Sequence, residues 1–317
     1  MWREVLRLLK EKKYIPPQRL TAQLNISFNQ LEECLLKLKN LGYQIEEDSY
    51  LGYYLISSPD RLFPWEIKYN LSTQILGRKI YYFENVESTQ DIAFEKFYEG
   101  EGTIIVAEGQ SKGRGREGRR WLSFPYKGIY FSLILKPEVS YKFSLISLLL
   151  SVSIAEAIDD AFGIKVGIKW PNDLLLADKK VGGVLIEGYK RGEFIFIVAG
   201  AGININNERK ELPSCGISLK EFLGRKINRV DFFKKILEST ERNYVLFKKE
   251  SFLILEKWKG FNVTLGRRVV AISGNQKVEG EAFALDKCGY LLIKKDDGKI
   301  EKISHPQIFQ QNFEISW

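Results

Sequence analysis

Apolar residues recur along the chain with different spacings, and each spacing predicts a different kind of unit. In the first sixty residues the period is helical. Val5, Leu6, Leu8 and Leu9 make one face, and Leu20, Leu24 and Ile26 follow the Pro16-Pro17 break. Leu31, Leu35, Leu36, Leu38 and Leu41 make another face, which starts after Ser27, a capping residue, and stops at Gly42. Only Asn25-Ile26-Ser27 separates the second and third helices, a spacing that suits a helix-turn-helix. Two short runs, 43–46 and 53–56, predict strands that could form a wing. Ser57-Ser58-Pro59-Asp60 reads as the start of a linker.

From about residue 77 to 260 strand and helix patterns alternate. Strands are predicted at 78–83, 103–107, 129–135, 166–169, 183–187 and 194–199, with a long amphipathic helix at 143–161 and another helix at 232–247. This is a mixed α/β region. Beyond 263 the strands become short and close: 263–265, 268–272, 280–285 and 290–293, separated by Gly266, Gly274, Gly289 and Gly298. That pattern predicts a small all-β barrel.

A length of 317 residues, with 44% apolar and 28% charged residues, allows two or three domains with a sizeable core. The net charge of +8 points to an anionic partner, either nucleic acid or a nucleotide. Cys34, Cys215 and Cys288 are far apart and form no C-x-x-C, so zinc and redox pairs are not suggested; the odd count fits a reducing cytoplasm. The opening Met1-Trp2-Arg3-Glu4 reads as a helix and not as an export signal. The longest apolar run, near 145–152, falls far short of the ~18 residues that span a bilayer. The single histidine, His305, precedes Pro306 near the terminus and reads as a turn residue rather than the centre of a catalytic triad.

Five short elements could carry chemistry. Gly113-Arg114-Gly115-Arg116-Glu117-Gly118-Arg119-Arg120-Trp121 interleaves three glycines with four arginines. It spells G-x-G-x-x-G, but Ser123, Phe124 and Pro125 follow, so no helix starts and a dinucleotide fold is excluded. A P-loop and a protein kinase are excluded by their missing partner motifs. What remains is a hinged cationic loop suited to closing over an anion, or a solvated basic turn. Lys169-Trp170-Pro171-Asn172-Asp173 leaves a strand through a proline turn, where α/β folds present functional groups. In Lys180-Val181-Gly182-Gly183-Val184-Leu185-Ile186-Glu187 a lysine enters a glycine-softened strand; the alternative is a hairpin tip. Ala199-Gly200-Ala201-Gly202-Ile203-Asn204 ends a strand in small residues and delivers Asn204 to a crowded place, or simply packs tightly. Ser88-Thr89-Gln90 precedes a helix at 91–98 and could be no more than its N-cap.

In this order and spacing the elements resemble the biotin protein ligases, over essentially the whole chain. The two flanking units resemble the longer class of that family, which doubles as biotin operon repressor. The resemblance implies an α+β chain: a winged helix-turn-helix at 1–58, a linker at 59–77, a mixed α/β catalytic domain of class II synthetase type at 78–262 and an SH3-like barrel at 263–317. It implies ATP-dependent conversion of biotin to biotinyl-5′-adenylate, then transfer to a lysine of a biotin carboxyl carrier protein, with Mg²⁺ assisting ATP. Arg116 and Lys180 match the catalytic positions between the biotin carboxylate and the α-phosphate. Ser88, Thr89, Gln90, Gln110, Arg114 and Gly115, with Arg116 and Lys180, match the biotin side. Arg119, Trp121, Asn172, Asp173 and Asn204, again with Arg116 and Lys180, match the ATP and adenylate side. Asp173 is a candidate base for the acceptor lysine. The resemblance further implies a homodimer, operator DNA bound through 18–41, a cytoplasmic location and no membrane partner.

Two departures modify this picture. The expected recognition helix opens Phe28-Asn29-Gln30-Leu31-Glu32-Glu33 and carries only Lys37 and Lys39 as bases, and the wing reads Asp48-Ser49-Tyr50-Leu51-Gly52. Acids repel phosphate, so DNA binding is expected to be weak or lost, leaving a ligase alone. The loop at 207–218, which matches the adenine cap, contains no aromatic residue, and Ile217 is the candidate substitute. A lipoate-type ligase, built on the same catalytic architecture, is the remaining alternative.

Overall fold

Ser27 does begin a helix: its hydroxyl accepts from Gln30 N while the Gln30 side chain accepts from Ser27 N, a reciprocal cap. The computed structural model describes residues 1–136, 143–191, 194–273, 276–303 and 307–310. It divides into one unit from Met1 to Arg61 and a second from Leu62 onward.

The first unit holds α1 (Trp2–Glu11), α2 (Pro17–Leu24), α3 (Phe28–Asn40), β1 (Gln44–Asp48) and β2 (Gly52–Ser57). Val5, Leu6, Leu8 and Leu9 of α1 pack with Leu20, Leu31, Cys34, Leu35 and Leu38. Leu36, expected on the apolar face, is 60% exposed, because it falls a third of a turn away from the Leu31/Leu35/Leu38 stripe. Asn25 adopts a left-handed conformation that ends α2 and turns the chain into α3. β1 and β2 pair antiparallel, and Ile15 bridges to Tyr53.

In the second unit α4 (Pro64–Lys68) precedes β3 (Ile80–Val86), α5 (Thr89–Glu95), β4 (Ile104–Gln110) and β5 (Gly128–Leu135). Then come α6 (Phe143–Phe162), β6 (Gly167–Lys169), β7 (Asp173–Leu176), β8 (Lys179–Arg191) and β9 (Phe194–Asn204). Helices α7 (Leu219–Leu223), α8 (Arg229–Lys249) and α9 (Phe252–Lys259) lead to β10 (Arg268–Ser273), β11 (Gln276–Leu285), β12 (Leu291–Lys294), β13 (Ile300–Ile303) and β14 (Gln307–Gln310).

Strands β3-β4-β5-β9-β8-β7-β6 form one seven-stranded sheet, antiparallel except for the parallel β3–β4 pair. Its strands alternate between two cores. Ile104, Val106, Leu133 and Leu135 face α6 and α8, whereas Ile105 and Ile134 join Ala93 of α5 on the opposite face. Strands β13-β12-β11-β10-β14 form a smaller antiparallel sheet, whose Val269, Ala271, Leu291 and Ile293 join the larger core. The fold is therefore α+β, with a small β module at the C-terminal end.

Several expectations are corrected. The stretch 59–77 is not a free linker: Leu62, Ile67 and Leu76 lie in the core of the second unit, and Pro64 opens α4. Helix α6 is not amphipathic; apolar or small residues cover almost its whole circumference, and it is buried nearly all round. Residues 263–265 form a turn and not a strand, because Asn262 Oδ1 accepts from both Thr264 N and Leu265 N. The Gly200–Asn204 segment continues β9 in full pairing with β5 and β8 instead of ending a strand at Ala199. Strands β13 and β14 were not anticipated. His305 and Gly274 lie outside the described residues.

Candidate functional site

A cavity opens where α5 begins, β4 ends and β8 and β9 run past the Gly113–Trp121 loop. Its lining includes Ser88, Thr89, Gln90, Gln110, Arg114, Gly115, Arg116, Arg119, Trp121, Asn172, Asp173 and Lys180, twelve of the thirteen residues singled out from the sequence. Asn204 is not in the lining.

One end of the cavity is polar but uncharged. Gln110 Oε1 accepts from Thr89 N at 2.8 Å and from Thr89 Oγ1 at 3.1 Å, and Gln110 Nε2 donates to Ser123 Oγ at 2.9 Å. Ser88 caps α5 through its hydroxyl and also lines the cavity. Behind them Ser132 Oγ, fully buried on β5, lies 2.9 Å from Thr89 Oγ1 and 2.7 Å from Gln90 Oε1. Its single proton serves one of the two. Gln90 Nε2 donates to Glu187 at 2.8 Å.

Arg114 reaches Asp91 at 2.6 Å and Glu187 at 3.3 Å, tying the loop to α5 and β8. Burial pulls the Arg114 guanidinium down, but Glu187 and Asp91 outweigh it and raise it. The loop folds back on itself through Gly115 N to Arg119 O at 2.7 Å and Trp121 N to Gly113 O at 2.8 Å. A 3₁₀ turn at Arg116–Gly118 forms its tip. Ser132 and Asp91 escaped the sequence reading. A lone serine in the apolar run Gly128–Leu135 was the available signal for the first; nothing local marks the second.

The other end is cationic. Arg114, Arg116, Arg119, Arg120, Lys169 and Lys180 line the cavity against only Glu117 and Asp173. Lys180 Nζ pairs with Asp173 at 2.7 Å and sits 5.4 Å from the centre of the Trp121 ring. Burial lowers the Arg116 guanidinium, with Glu117 and Asp173 opposing the shift. Arg116 forms no ion pair among the described residues.

The small residues of β9 have a steric reason. A Cβ on Gly202 would come within 2.3 Å of Trp121 Nε1, and one on Gly200 within 2.5 Å of Gln90 Oε1. The pyrrole edge of Trp121 therefore lies close against the β9 backbone at Gly202, its Nε1 buried without a hydrogen-bond partner among the described residues.

Around Lys180 the backbone is held from behind. A two-residue turn at Ala177-Asp178, both with positive φ, joins β7 to β8; the expected hairpin exists, but its tip lies there, and Lys179 and Lys180 already belong to β8. Lys180 N donates to Cys215 O at 2.7 Å, and Lys180 O accepts from Ile217 N at 3.0 Å. Asn204 Nδ2 donates to Lys180 O at 3.3 Å and Ile217 O at 3.2 Å, so its amide serves the protein backbone and not the cavity. Ile217, the expected substitute for an aromatic cap, is packed in the core. The Trp170-Pro171 turn is anchored by the C-terminal module: Trp170 N donates to Thr264 Oγ1 at 2.8 Å, and Trp170 Nε1 donates to Gly289 O at 2.9 Å. No helix among the described residues is long and apolar enough to cross a membrane, and no group of three or more His, Cys, Asp or Glu converges on a metal position there.

A neutral pocket beside a polycationic one suits a polar small molecule next to a polyphosphate. Comparison with known proteins points the same way. Residues 82–204 match the Biotin/lipoate A/B protein ligase family, and 264–305 match the Biotin protein ligase C terminal domain. The chain is 32% identical over 300 residues to the Bifunctional ligase/repressor BirA of Bacillus subtilis, covering 92% of each chain. It is 28% identical to the protein of the same name from Escherichia coli, again over 92% of each. Among solved structures it resembles biotin protein ligase from Aquifex aeolicus in complex with biotin and ATP, with 32% identity and a TM-score of 0.66, covering 74% of this chain and 100% of that one.

Proposed function

The chain belongs to the biotin protein ligase family, in its longer bifunctional class, and from that premise we propose how its cavity carries the reaction. The enzyme activates biotin with ATP and passes it to a lysine of a biotin carboxyl carrier protein. The observation that carries the site reading is the junction of the neutral Thr89/Gln110 pocket with the Arg116/Lys180 cations in one cavity.

The ureido ring of biotin both donates and accepts, and the hydroxyls of Ser88 and Thr89 with the amides of Gln90 and Gln110 do the same. Phe131, Val184 and Leu185 offer the apolar wall for the rest of the molecule. The biotin carboxylate then points at the cationic end. Attack on the α-phosphorus forms a C–O–P linkage and breaks the bond to the β-phosphate, whose oxygen leaves with the electron pair as pyrophosphate. Two unit charges near 4 Å repel by about 4 kcal/mol at an effective dielectric of 20. Arg116 and Lys180 offset that repulsion and favour the charged transition state. Lys180 turns from Asp173 toward the phosphate as it does so.

The freed Asp173 carboxylate accepts the proton of the acceptor lysine, whose ordinary pKa is about 10.4. The amine attacks the acyl carbon, and AMP leaves. Arg119 and Trp121 hold the nucleotide. Arg114, through Asp91 and Glu187, keeps the loop folded over the mixed anhydride and away from water. Asn204 acts by holding the Lys180 backbone. An Mg²⁺ carried on ATP phosphates keeps most of its waters and needs one or two protein oxygens. Asn172 and Asp173 fit that demand, and the ion would supply further charge neutralisation.

Biotin-dependent ATP–pyrophosphate exchange tests this reading, with Arg116→Ala expected to lose it by about 100-fold or more. Absence of exchange in the unsubstituted chain would sink the ligase reading, and lipoate outcompeting biotin would favour the lipoate alternative. For the first unit, α2, α3 and the β1–β2 pair are a winged helix-turn-helix, and its partner is operator DNA. A homodimer and an SH3-like closure of the C-terminal sheet belong to the same proposal. Gel shift on the chain's own biotin-synthesis promoter, with and without biotin and ATP, tests the DNA part.

A further inference from the structure

Lys169 ends β6, directly opposite Asp173 in the β6–β7 register, and its side chain lines the cavity at only 7% exposure. The carboxylate opposite it, Asp173, pairs with Lys180 at 2.7 Å. Lys169 makes no ion pair and no side-chain hydrogen bond among the described residues. Burial lowers its ammonium, Asp173 opposes this, and the like charges of Lys180 and Arg119 push it further down. A buried cation among cations is costly for the fold by itself. Its backbone cannot swing out to relieve the strain of charge, since Trp170 is fastened to Thr264 Oγ1 and Gly289 O.

A phosphate entering the cavity brings the counter-charge that this ammonium lacks as an ion pair. Arg116 and Lys180 already face the carboxylate and the α-phosphate in the reading above, on which this inference rests. Arg119 holds the nucleotide in the same reading, which gives no residue of its own to the charge gathered as the α–β phosphate bond breaks. We propose that Lys169 is a catalytic residue of the adenylation step alone, seating the β-phosphate of ATP and the departing pyrophosphate. As the bond from the α-phosphorus to the bridging oxygen breaks, that oxygen keeps the electron pair and gains negative charge. The Lys169 ammonium meets this charge by a charge-assisted hydrogen bond, with no proton transfer required.

The two half-reactions separate this role from a structural one. Exchange of pyrophosphate into ATP requires the seat; transfer of biotin from isolated biotinyl-5′-adenylate to the apo carrier protein does not involve pyrophosphate. With the full chain, Lys169→Gln and Lys169→Met should raise the KM for pyrophosphate and lower exchange by about 10- to 100-fold. Transfer from the isolated adenylate should stay within about twofold. Lys169→Arg should recover much of the exchange. The melting temperature of Lys169→Met should be unchanged or higher, since a desolvated cation is removed. Equal loss in both half-reactions would overturn the proposal in favour of a structural lysine, and unchanged exchange would overturn it outright. A wild-type chain without exchange would instead refute the ligase reading, a separate failure.

Discussion

At the residue scale the cavity depends on contacts that leave no room for an added atom. Trp121 lies against the Gly202 backbone, and a methyl there would meet Nε1 at 2.3 Å. The indole is the floor under Lys180, so Gly202→Ala displaces a whole ring and not a flexible tip. Adenylate formation by Gly202→Ala is expected to fall by about 10- to 100-fold with a much smaller loss of stability, measured by exchange kinetics beside thermal unfolding. An unaltered exchange rate would refute the fit of Trp121 to the nucleotide. Twelve of the candidate residues line one cavity, and they stand out in the sequence because their types and spacing are unusual in a turn or strand. Asn204 is crowded, as its segment suggests, but its amide bonds the backbone and it lies outside the cavity lining. Its direction depends on the Lys180 and Ile217 carbonyls, which no local pattern reveals. Asp91 and Ser132 meet cavity residues only across elements, Asp91 through Arg114 and Ser132 through Thr89 and Gln90, so their own segments mark them faintly or not at all.

At the element scale the turn carrying Asn172 and Asp173 is held by the C-terminal module. Asp286 Oδ1 accepts from Cys288 N and Tyr290 N, shaping the turn that presents Gly289 O to Trp170. Burial pushes the Asp286 carboxyl up, but Lys302 at 2.7 Å and the two backbone N–H groups more than offset it, leaving it below the ordinary range. A depressed carboxyl contributes stability above its unfolded pKa, about 3.9, and loses it as pH falls through the lower folded value. Asp286→Ala should therefore cost roughly 1–2 kcal/mol near neutral pH, with the difference from wild type narrowing below about pH 4. Urea melts across that range check it, and a difference independent of pH would contradict the assignment. The same variant should slow adenylation by loosening the Trp170-Pro171 turn. The strands of this module were partly legible from alternation, yet 263–265 was misread because Asn262 captures the backbone there. The α6 run showed its apolarity plainly, but only burial by α8, α9 and the sheet shows why a one-sided face was unnecessary.

At the scale of the whole molecule, charge and chemistry are unevenly divided. Residues 1–61 carry 9 basic and 8 acidic residues, so nearly all of the net charge of +8 belongs to the second unit. Glu33 stays exposed on α3, and Glu32 is tied to Tyr53 at 2.7 Å. Operator binding is expected only at low salt and with a shallow salt slope, and Glu33→Lys should tighten it; anisotropy titrations at several salt concentrations decide this. Tight binding at physiological salt would contradict the charge argument. The cavity draws its lining from the second unit alone. A chain beginning at Leu62 is therefore expected to retain biotin-dependent exchange within a few-fold of the full chain, and loss of exchange in a folded truncation would refute that independence. By itself, the sequence determined the order of the motifs, the loop's cationic chemistry, the exclusion of dinucleotide and P-loop folds, and the helical start of the chain. These follow from residue type and short-range spacing, where local sterics and hydrogen bonding dominate. Tertiary structure alone decided that Leu62, Ile67 and Leu76 are core, that Asn204 bonds the Lys180 and Ile217 backbone, that Asp91 and Ser132 meet Arg114, Thr89 and Gln90, and that Lys169 forms no ion pair among the described residues. Each of those depends on which distant groups share a buried space, and burial is a property of the assembled fold.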